Sequence, residues 1–346
     1  MKTILHIFNS NHYSGLEKVA CDIILNTNDE YREIYITKDG PIIKQLKKLN
    51  IEYYVVDKIS IANIKKVLEI FQPDIIHAHD YRASCIAALS TKNIPILSHL
   101  HNNSPWIKTL HPFSFLYLYC SRRFEKILIV SNSIKDEYIF SKFIENKIQN
   151  IGNPLSRKLI LDKINKNDEK EYDICCVARL TKQKNPLRFI KIIDRIRTTH
   201  KNIKTIWVGE GELLDNCKEE TLKLGLDKNI KFLGFKENPF EYMNKSKVLM
   251  LTSDWEGFGL VAFEALTLGL PCYVSNVGGL PTIVDGACGA LCDEDNDFLD
   301  CIDILDNNDL YKKKSVSAIK KSKKLDNYDG YMMNIRKIYK DCIRNR

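Results

Sequence analysis

Short β-rich runs alternate with helical stretches along most of the chain, and this alternation restricts the fold more than any other feature. The runs are rich in Ile, Val, Leu and Tyr, and helical stretches such as Gly15–Leu25 and Asn63–Phe71 lie between them. This pattern is typical of parallel sheets whose strands are joined by crossover helices. The sequence therefore predicts an α/β protein with doubly wound sheets.

The predicted strands fall into two sets along the chain. Those of the first half are Thr3–Asn9, Glu33–Thr37, Tyr53–Val56, Ile75–Ala78, Ile96–Leu100 and Lys126–Val130. Those of the second half are Asp173–Val177, Lys204–Val208, Ile230–Leu233, Val248–Leu251, Pro271–Ser275 and Gly289–Leu291.

The chain length predicts two domains, because 346 residues are too many for one hydrophobic core of ordinary size. We place the boundary near Asn153-Pro154, which gives a Rossmann-like domain over 1–153 and another over 154–327. The last helical stretch, within 328–346, has no strand after it and could pack back on the first domain.

Composition excludes several classes of protein. Apolar residues make up 44% and charged residues 28%, the balance of a soluble globular chain. The 11 cysteines are scattered without a C-x-x-C pair, so we interpret them as reduced, buried thiols of a cytoplasmic protein. No run approaches the roughly 20 apolar residues that a membrane span needs.

Two features leave a peripheral membrane contact open. The apolar run Phe113–Cys120 is followed by Arg122 and Arg123, which is typical of either an interfacial anchor or a buried helix. Residues 307–346 carry 12 Lys and Arg against 4 Asp, which suits either anionic headgroups or a solvated helix face.

Candidate binding residues follow the predicted strands, where parallel sheets bind their ligands. Gly15 follows the first strand, but no G-x-G-x-x-G fingerprint is present there, which argues against a nicotinamide enzyme. Arg179 and Lys184 follow the first strand of the second half, and this pair is suited to one diphosphate.

The densest signal is the segment 253–265, which follows the apolar strand Val248–Leu251. Gly257 and Gly259 allow a tight turn, and a helix is expected to begin near Leu260 with free N–H groups facing an anion. Glu264 lies one turn inside this otherwise apolar helix, and a ribose diol is a plausible partner for its carboxylate.

These motifs together resemble a family 4 glycosyltransferase, one of the retaining enzymes of the GT-B class. The E-x7-E motif is Glu256 to Glu264, followed by ALTLGLP at 265–271 and VGGLP at 277–281. The G-R-L…K element corresponds to residues 178–184, and the G-x-G turn corresponds to 209–211. The resemblance runs from about Ile4 to Cys292, and it implies two Rossmann-like domains that face each other across a cleft.

The resemblance also implies roles for individual residues. Arg179 and Lys184 would hold the donor diphosphate and stabilise its departing charge. Glu264 would bind the ribose, Glu256 would contact the donor sugar near its reacting carbon, and His101 would be the active-site histidine. The remaining donor-binding positions, which would contribute mainly backbone groups, are Gly15, Gly209, Phe235, Phe258, Gly259, Leu260 and Val261. The sequence departs from the family pattern at Ser14, Ala178 and Thr282.

The function implied is retaining transfer of a sugar from a nucleotide sugar to a glycan. A UDP-sugar is favoured and a GDP-sugar is second, and the acceptor would be a lipid-linked intermediate of a surface polysaccharide such as lipopolysaccharide. The first domain would then face the acceptor and the second would bind the donor. No cofactor, metal or nucleic acid is expected. The alternatives are a nucleotide-sugar 2-epimerase and a non-catalytic sugar-nucleotide binding protein.

Two patterns could instead suggest a metal. His77-x-His79 and His99-x-His101 have alternate spacing on predicted strands, but the sequence gives no third ligand. Asp293-Glu294-Asp295 spells the D-x-D of metal-dependent transferases, and we interpret it as a solvated turn.

Overall fold

The computed structural model describes residues 1–165 and 169–344. The chain divides into two compact units. The first unit contains Met1–Pro154 together with Asn327–Arg346, and the second contains Leu155–Asp326.

The first unit is built on one seven-stranded parallel sheet with strand order β3-β2-β1-β4-β5-β6-β7. Its strands are β1 Lys2–Ile7, β2 Tyr31–Thr37, β3 Tyr53–Val55, β4 Ile75–Ala78, β5 Ile96–Leu100, β6 Phe124–Ile129 and β7 Ile148–Asn150. Its helices are α1 Gly15–Thr27, α2 Ile42–Lys48, α3 Ile61–Phe71, α4 Tyr81–Ser90, α5 Pro112–Ser121, α6 Asn132–Glu137 and the carboxyl-terminal α15 Tyr328–Arg344.

The second unit has a six-stranded parallel sheet with strand order β10-β9-β8-β11-β12-β13. Its strands are β8 Tyr172–Val177, β9 Thr205–Val208, β10 Ile230–Phe232, β11 Ser246–Leu251, β12 Cys272–Ser275 and β13 Gly289–Cys292. Its helices are α7 Arg157–Leu161, α8 Pro186–Arg197, α9 Leu214–Lys223, α10 Phe240–Asn244, α11 Leu260–Thr267, α12 Leu280–Ile283, α13 Cys301–Asp306 and α14 Asn308–Leu325.

All twelve predicted strands are present, with ends that differ by two residues at most. The sequence missed β7, a three-residue edge strand that follows two short 3₁₀ turns and pairs Ile148 with Ile127 of β6. So short a strand lacks a period-2 pattern long enough to recognise. The interpretation of the cysteines as buried side chains is confirmed, since all eleven are buried.

The core of the second unit holds the start of the β8 loop in place. Trp207 of β9 is fully buried and packs edge-on against Phe189, with ring centroids 5.2 Å apart. Its indole N–H donates to the carbonyl oxygen of Ala178 at 2.8 Å. A buried indole N–H needs such a partner, and here it fixes the residue directly before Arg179.

Helix α15 packs on the first unit. Its buried face includes Ile335 and Ile338, while Met333 on the same helix is 67% exposed. Arg336 pairs with Glu30 in the turn after α1, so the carboxyl-terminal helix is held by apolar contact and by charge. No helix of the described part of the chain is both long enough and apolar enough to cross a bilayer.

The packing of α15 can be tested with a matched pair of substitutions. Ile335→Ala should lower the free energy of unfolding by about 2–5 kcal/mol, because it leaves a cavity in the core. Met333→Ala should change it by about 0.5 kcal/mol or less. Urea denaturation followed by circular dichroism measures both, and equal effects would contradict the packing.

Candidate active site

The loops at one edge of the second sheet contain most of the predicted site residues. Arg179 follows β8, Gly209 follows β9, Phe235 follows β10, Glu256 follows β11 and Gly278 follows β12. These strands are neighbours and parallel, so their carboxyl ends meet at the same edge.

The loops after β8 and β9 touch backbone to backbone. Gly209 has φ +140°, and a Cβ at this position would lie 2.0 Å from the carbonyl oxygen of Ala178. The backbone N–H of Leu180 donates to the carbonyl of Glu210 at 3.0 Å. Only glycine permits this approach, which carries the exposed side chain of Arg179 next to the β9 loop.

Lys184 and Glu256 form an ion pair with each other. Both are largely buried, with side chains 19% and 8% exposed. The Ser253 hydroxyl donates to the same Glu256 oxygen at 3.0 Å. The sequence placed both residues in the site, and their pairing emerges only in the structure because they lie on separate loops.

The glycine pair after β12 supports the loop that contains Glu256. Gly278 has φ +58°, and a Cβ there would lie 1.7 Å from the carbonyl oxygen of Glu256. A Cβ on Gly279 would lie 2.7 Å from Cα of Phe258. The downstream VGGLP motif is therefore a packing surface for the E-x7-E loop.

Helix α11 begins after Gly259, whose φ of +94° turns the chain into the helix. Phe258, Leu260 and Val261 are partly exposed at this start. Glu264 lies one turn inside and is buried among apolar neighbours on the same helix. The helix start is confirmed at Leu260.

Phe235 lies beside the β9 loop. Its ring is 54% exposed, and its backbone N–H donates to the Glu210 carboxylate at 3.1 Å. The isolated bridge between Gly209 and Gly234 fixes this position.

Gly15 lies in the first unit, at the start of α1. Ser14 caps the helix, and its N–H and hydroxyl both donate to the Glu17 carboxylate. Glu17 is buried, and burial raises the pKa of its carboxyl group. Gly15 itself is exposed.

His101 also lies in the first unit, at the end of a cluster of five histidines that the sequence did not predict. Two groups of three within it have ligand atoms within 4.8 Å of one another: His6, His77 and His79, and His79, His99 and His101. The structure therefore brings a third histidine close to each of the two pairs, which the sequence spacing did not reveal. The residue that could have revealed the cluster from the sequence is His6 on β1, which pairs in register with His77 on β4.

Most nitrogens of this cluster are already paired with one another or with a neighbouring side chain. Burial lowers the pKa of His77, His79 and His99 well below the usual range and lowers that of His101 to about 3. Nε2 of His99 has no hydrogen-bond partner within the described residues.

Acidic side chains of the loop after β13 are bonded to other residues of the same unit. Asp295 forms an ion pair with Arg188 at 2.6 Å, and Asp293 accepts a hydrogen bond from Asn276 at 3.0 Å. These partners hold two of the three acidic side chains of the D-x-D sequence.

The contact between Gly278 and the Glu256 loop gives a direct test. Gly278→Ala should lower the free energy of unfolding by about 1–3 kcal/mol, because the new Cβ meets backbone in a left-handed conformation. Gly286→Ala is the control, since a Cβ there would meet nothing within 4 Å. Thermal unfolding compares the two, and a Gly278 variant as stable as the control would refute the contact.

Two family models match this chain, and they describe known proteins. The model described as Glycosyltransferase Family 4 matches residues 18–157, and the model described as Glycosyl transferases group 1 matches residues 158–325. An Escherichia coli protein named UDP-Gal:alpha-D-GlcNAc-diphosphoundecaprenol alpha-1,3-galactosyltransferase is 24% identical over 327 residues, which is 85% of this chain and 84% of that protein. An uncharacterized glycosyltransferase of Methanocaldococcus jannaschii is 27% identical over 90% of this chain and 86% of its own length.

A solved structure shares the fold across both units. Anabaena HepE in complex with UDP-glucose superposes with a TM-score of 0.86 and 19% identity, covering 99% of this chain and 100% of HepE. The family models and the named relatives are all glycosyltransferases, which favours a transferase over the isomerase alternative. Since the two models together span residues 18–325 and both describe glycosyltransferases, the chain is a glycosyltransferase with the GT-B fold.

Proposed function

We propose that this enzyme transfers a sugar, with retention of configuration, from a UDP-sugar to a glycan carried on a lipid. The observation that carries the proposal is the carboxyl edge of the second sheet, where Arg179, Lys184, Glu256 and the start of α11 come from neighbouring loops. This edge combines two cationic side chains, two carboxylates and the N-terminus of a helix in one unit.

The diphosphate of the donor would bind to Arg179 and Lys184. The Arg179 side chain is exposed, and the largely buried Lys184 ammonium is paired with Glu256. A diphosphate would compete with Glu256 for the Lys184 ammonium and add the N–H groups at the start of α11. These groups would neutralise the charge of the leaving diphosphate, so the reaction would need no metal ion.

The two glutamates would have different tasks. Glu264 is buried one turn inside α11, where its carboxylate would accept hydrogen bonds from the ribose hydroxyls. Glu256 lies in the loop before α11, next to Lys184, where it would face the sugar carbon as positive charge develops. Retention would follow a front-face route in which the leaving diphosphate helps to deprotonate the acceptor.

Uracil is the proposed base, and guanine is the second choice. The support is the name of the Escherichia coli relative, which specifies UDP-Gal, and the fold shared with HepE bound to UDP-glucose. Backbone groups near Phe235 and Gly209 would recognise the base. The same relative acts on a diphosphoundecaprenol-linked sugar, which supports a lipid-linked acceptor here.

An exposed apolar face on α5 would dock the enzyme on the cytoplasmic surface of the membrane. This face consists of Phe113, Phe115, Leu116 and Tyr119, which are 36–60% exposed. A depression beside it is lined by basic side chains that would meet anionic headgroups. They are Lys65, Lys92, Arg122 and Arg123.

Kinetics of two alanine variants test the diphosphate site. Arg179→Ala and Lys184→Ala should each lose about 2–4 kcal/mol of transition-state stabilisation, measured as kcat/KM, because a fixed electrostatic donor is removed. Lys182→Ala is the control, since Lys182 is an exposed cation on the same turn. Wild-type turnover in both site variants would remove this pair from the reaction.

Calorimetric titration of UDP separates the glutamates. Glu264→Gln should weaken UDP binding together with turnover, because ribose contacts act in the ground state and the transition state alike. Glu256→Gln should lower kcat without weakening UDP binding, because Glu256 competes with the diphosphate for Lys184 and acts on the sugar only as charge develops. If Glu264→Gln binds UDP as tightly as the unaltered enzyme, its assignment to the ribose is wrong.

Vesicle sedimentation tests the membrane contact. Phe113→Ala should weaken binding to anionic vesicles roughly ten- to a hundredfold, because inserting one aromatic side chain contributes about 1.5–3 kcal/mol. Leu222→Ala is the control, since Leu222 is 68% exposed on α9 of the other unit. A soluble acceptor becomes the better proposal if the unaltered protein ignores anionic vesicles at low salt.

A further inference from the structure

Four polar side chains in the first unit form one hydrogen-bonded chain that ends at His101. The Glu33 carboxylate is bonded to Nε2 of His6, and Nδ1 of His6 lies 2.9 Å from Nε2 of His79. Nδ1 of His79 in turn lies 3.2 Å from Nε2 of His101. The strand order β2-β1-β4-β5 places these groups side by side, so the chain crosses the face of the sheet.

The number of protons on each group decides which atom donates and which accepts along this row of hydrogen bonds. A carboxylate only accepts hydrogen bonds, and a neutral imidazole has one N–H and one bare nitrogen. Beside the Glu33 carboxylate, a neutral His6 therefore carries its proton on Nε2 and accepts at Nδ1. His79 then donates from Nε2 and accepts at Nδ1, and His101 donates from Nε2. The last nitrogen, Nδ1 of His101, is left bare.

The imidazoles of His79 and His101 are neutral because they are buried. Burial lowers the pKa of His79 well below its usual range and that of His101 to about 3. The other Glu33 oxygen is bonded to the Thr27 hydroxyl, which is a neutral donor. Glu33 is therefore the group that sets the direction of the chain.

A second branch runs through the same cluster without joining the first by a hydrogen bond. The Tyr339 hydroxyl lies 2.8 Å from Nδ1 of His77, and Nε2 of His77 lies 3.1 Å from Nδ1 of His99. It contacts the first branch by ring packing, with the His77 and His79 centroids 4.1 Å apart. This branch supplies a control with the same burial and residue types.

We infer that Glu33 is ionised beside a neutral His6 and is a positioning residue: through His6 and His79 it fixes His101 in the Nε2–H tautomer, so that Nδ1 of His101 accepts a hydrogen bond from a hydroxyl of a sugar substrate. The catalytic part of this inference rests on the proposed function, in which His101 contacts substrate. The tautomer itself depends only on the hydrogen bonds within the first unit.

Nuclear magnetic resonance of the full-length protein labelled with ¹⁵N-histidine measures the tautomers directly. In the unaltered protein, His6, His79 and His101 should each be protonated at Nε2, with the chemical shift of a bare nitrogen at Nδ1 of His101. A proton on Nδ1 of His101 would overturn the inference, and this result needs no variant to fold.

Three variants then test the control by Glu33. Glu33→Gln should keep the tautomer, because its amide oxygen can accept from His6 while its amide nitrogen faces Thr27. Glu33→Leu should reduce the Nε2–H form of His101 to about half or less, because nothing then selects one direction. Tyr339→Phe should leave His101 unchanged. An unchanged His101 in folded Glu33→Leu, or a change in Tyr339→Phe alone, would contradict the assignment.

Kinetics separate this inference from the proposed function. Glu33→Leu should lower kcat at least twofold with little change in UDP affinity, and Glu33→Gln should restore it. The tautomer measurement requires no substrate, so it stands even if no sugar transfer is found. Transfer with unchanged kcat in Glu33→Leu would leave the enzyme a transferase and remove the role of Glu33.

Discussion

Backbone contacts at Gly209 and Gly278 hold the site together. Each places a loop so close to its neighbour that a Cβ would overlap a carbonyl oxygen, at 2.0 Å in one case and 1.7 Å in the other. Such contacts convert flexible strand-to-helix loops into a fixed surface, because neither loop can move without the other. Arg179 and Glu256 depend on this surface for their positions.

Electrostatics add a second constraint to the same edge. Glu256 and Lys184 neutralise each other where both are largely buried, and a buried charge without a partner is costly. A diphosphate that takes Lys184 would leave the Glu256 carboxylate free to stabilise positive charge on the sugar. In this account, donor binding itself would release the carboxylate that the proposed reaction needs.

The sequence predicted the fold well because parallel strands buried on both faces are continuous apolar runs, as in Val248–Leu251. It predicted the E-x7-E loop because glycines and a buried glutamate on an apolar helix are unusual. It did not predict the Lys184–Glu256 pair or the chain from Glu33 to His101. Those partners lie 72 residues apart in the first case and on four different strands or loops in the second, and only the strand order brings them together.

Hydrogen–deuterium exchange with and without UDP maps the donor site without presuming the sugar or the acceptor. If UDP binds at the carboxyl edge of the second sheet, backbone exchange should become slower in two segments, 178–184 and 256–264, and stay unchanged in α14. If neither segment is protected at saturating UDP, the donor site does not lie at this edge, whatever other part of the chain becomes protected.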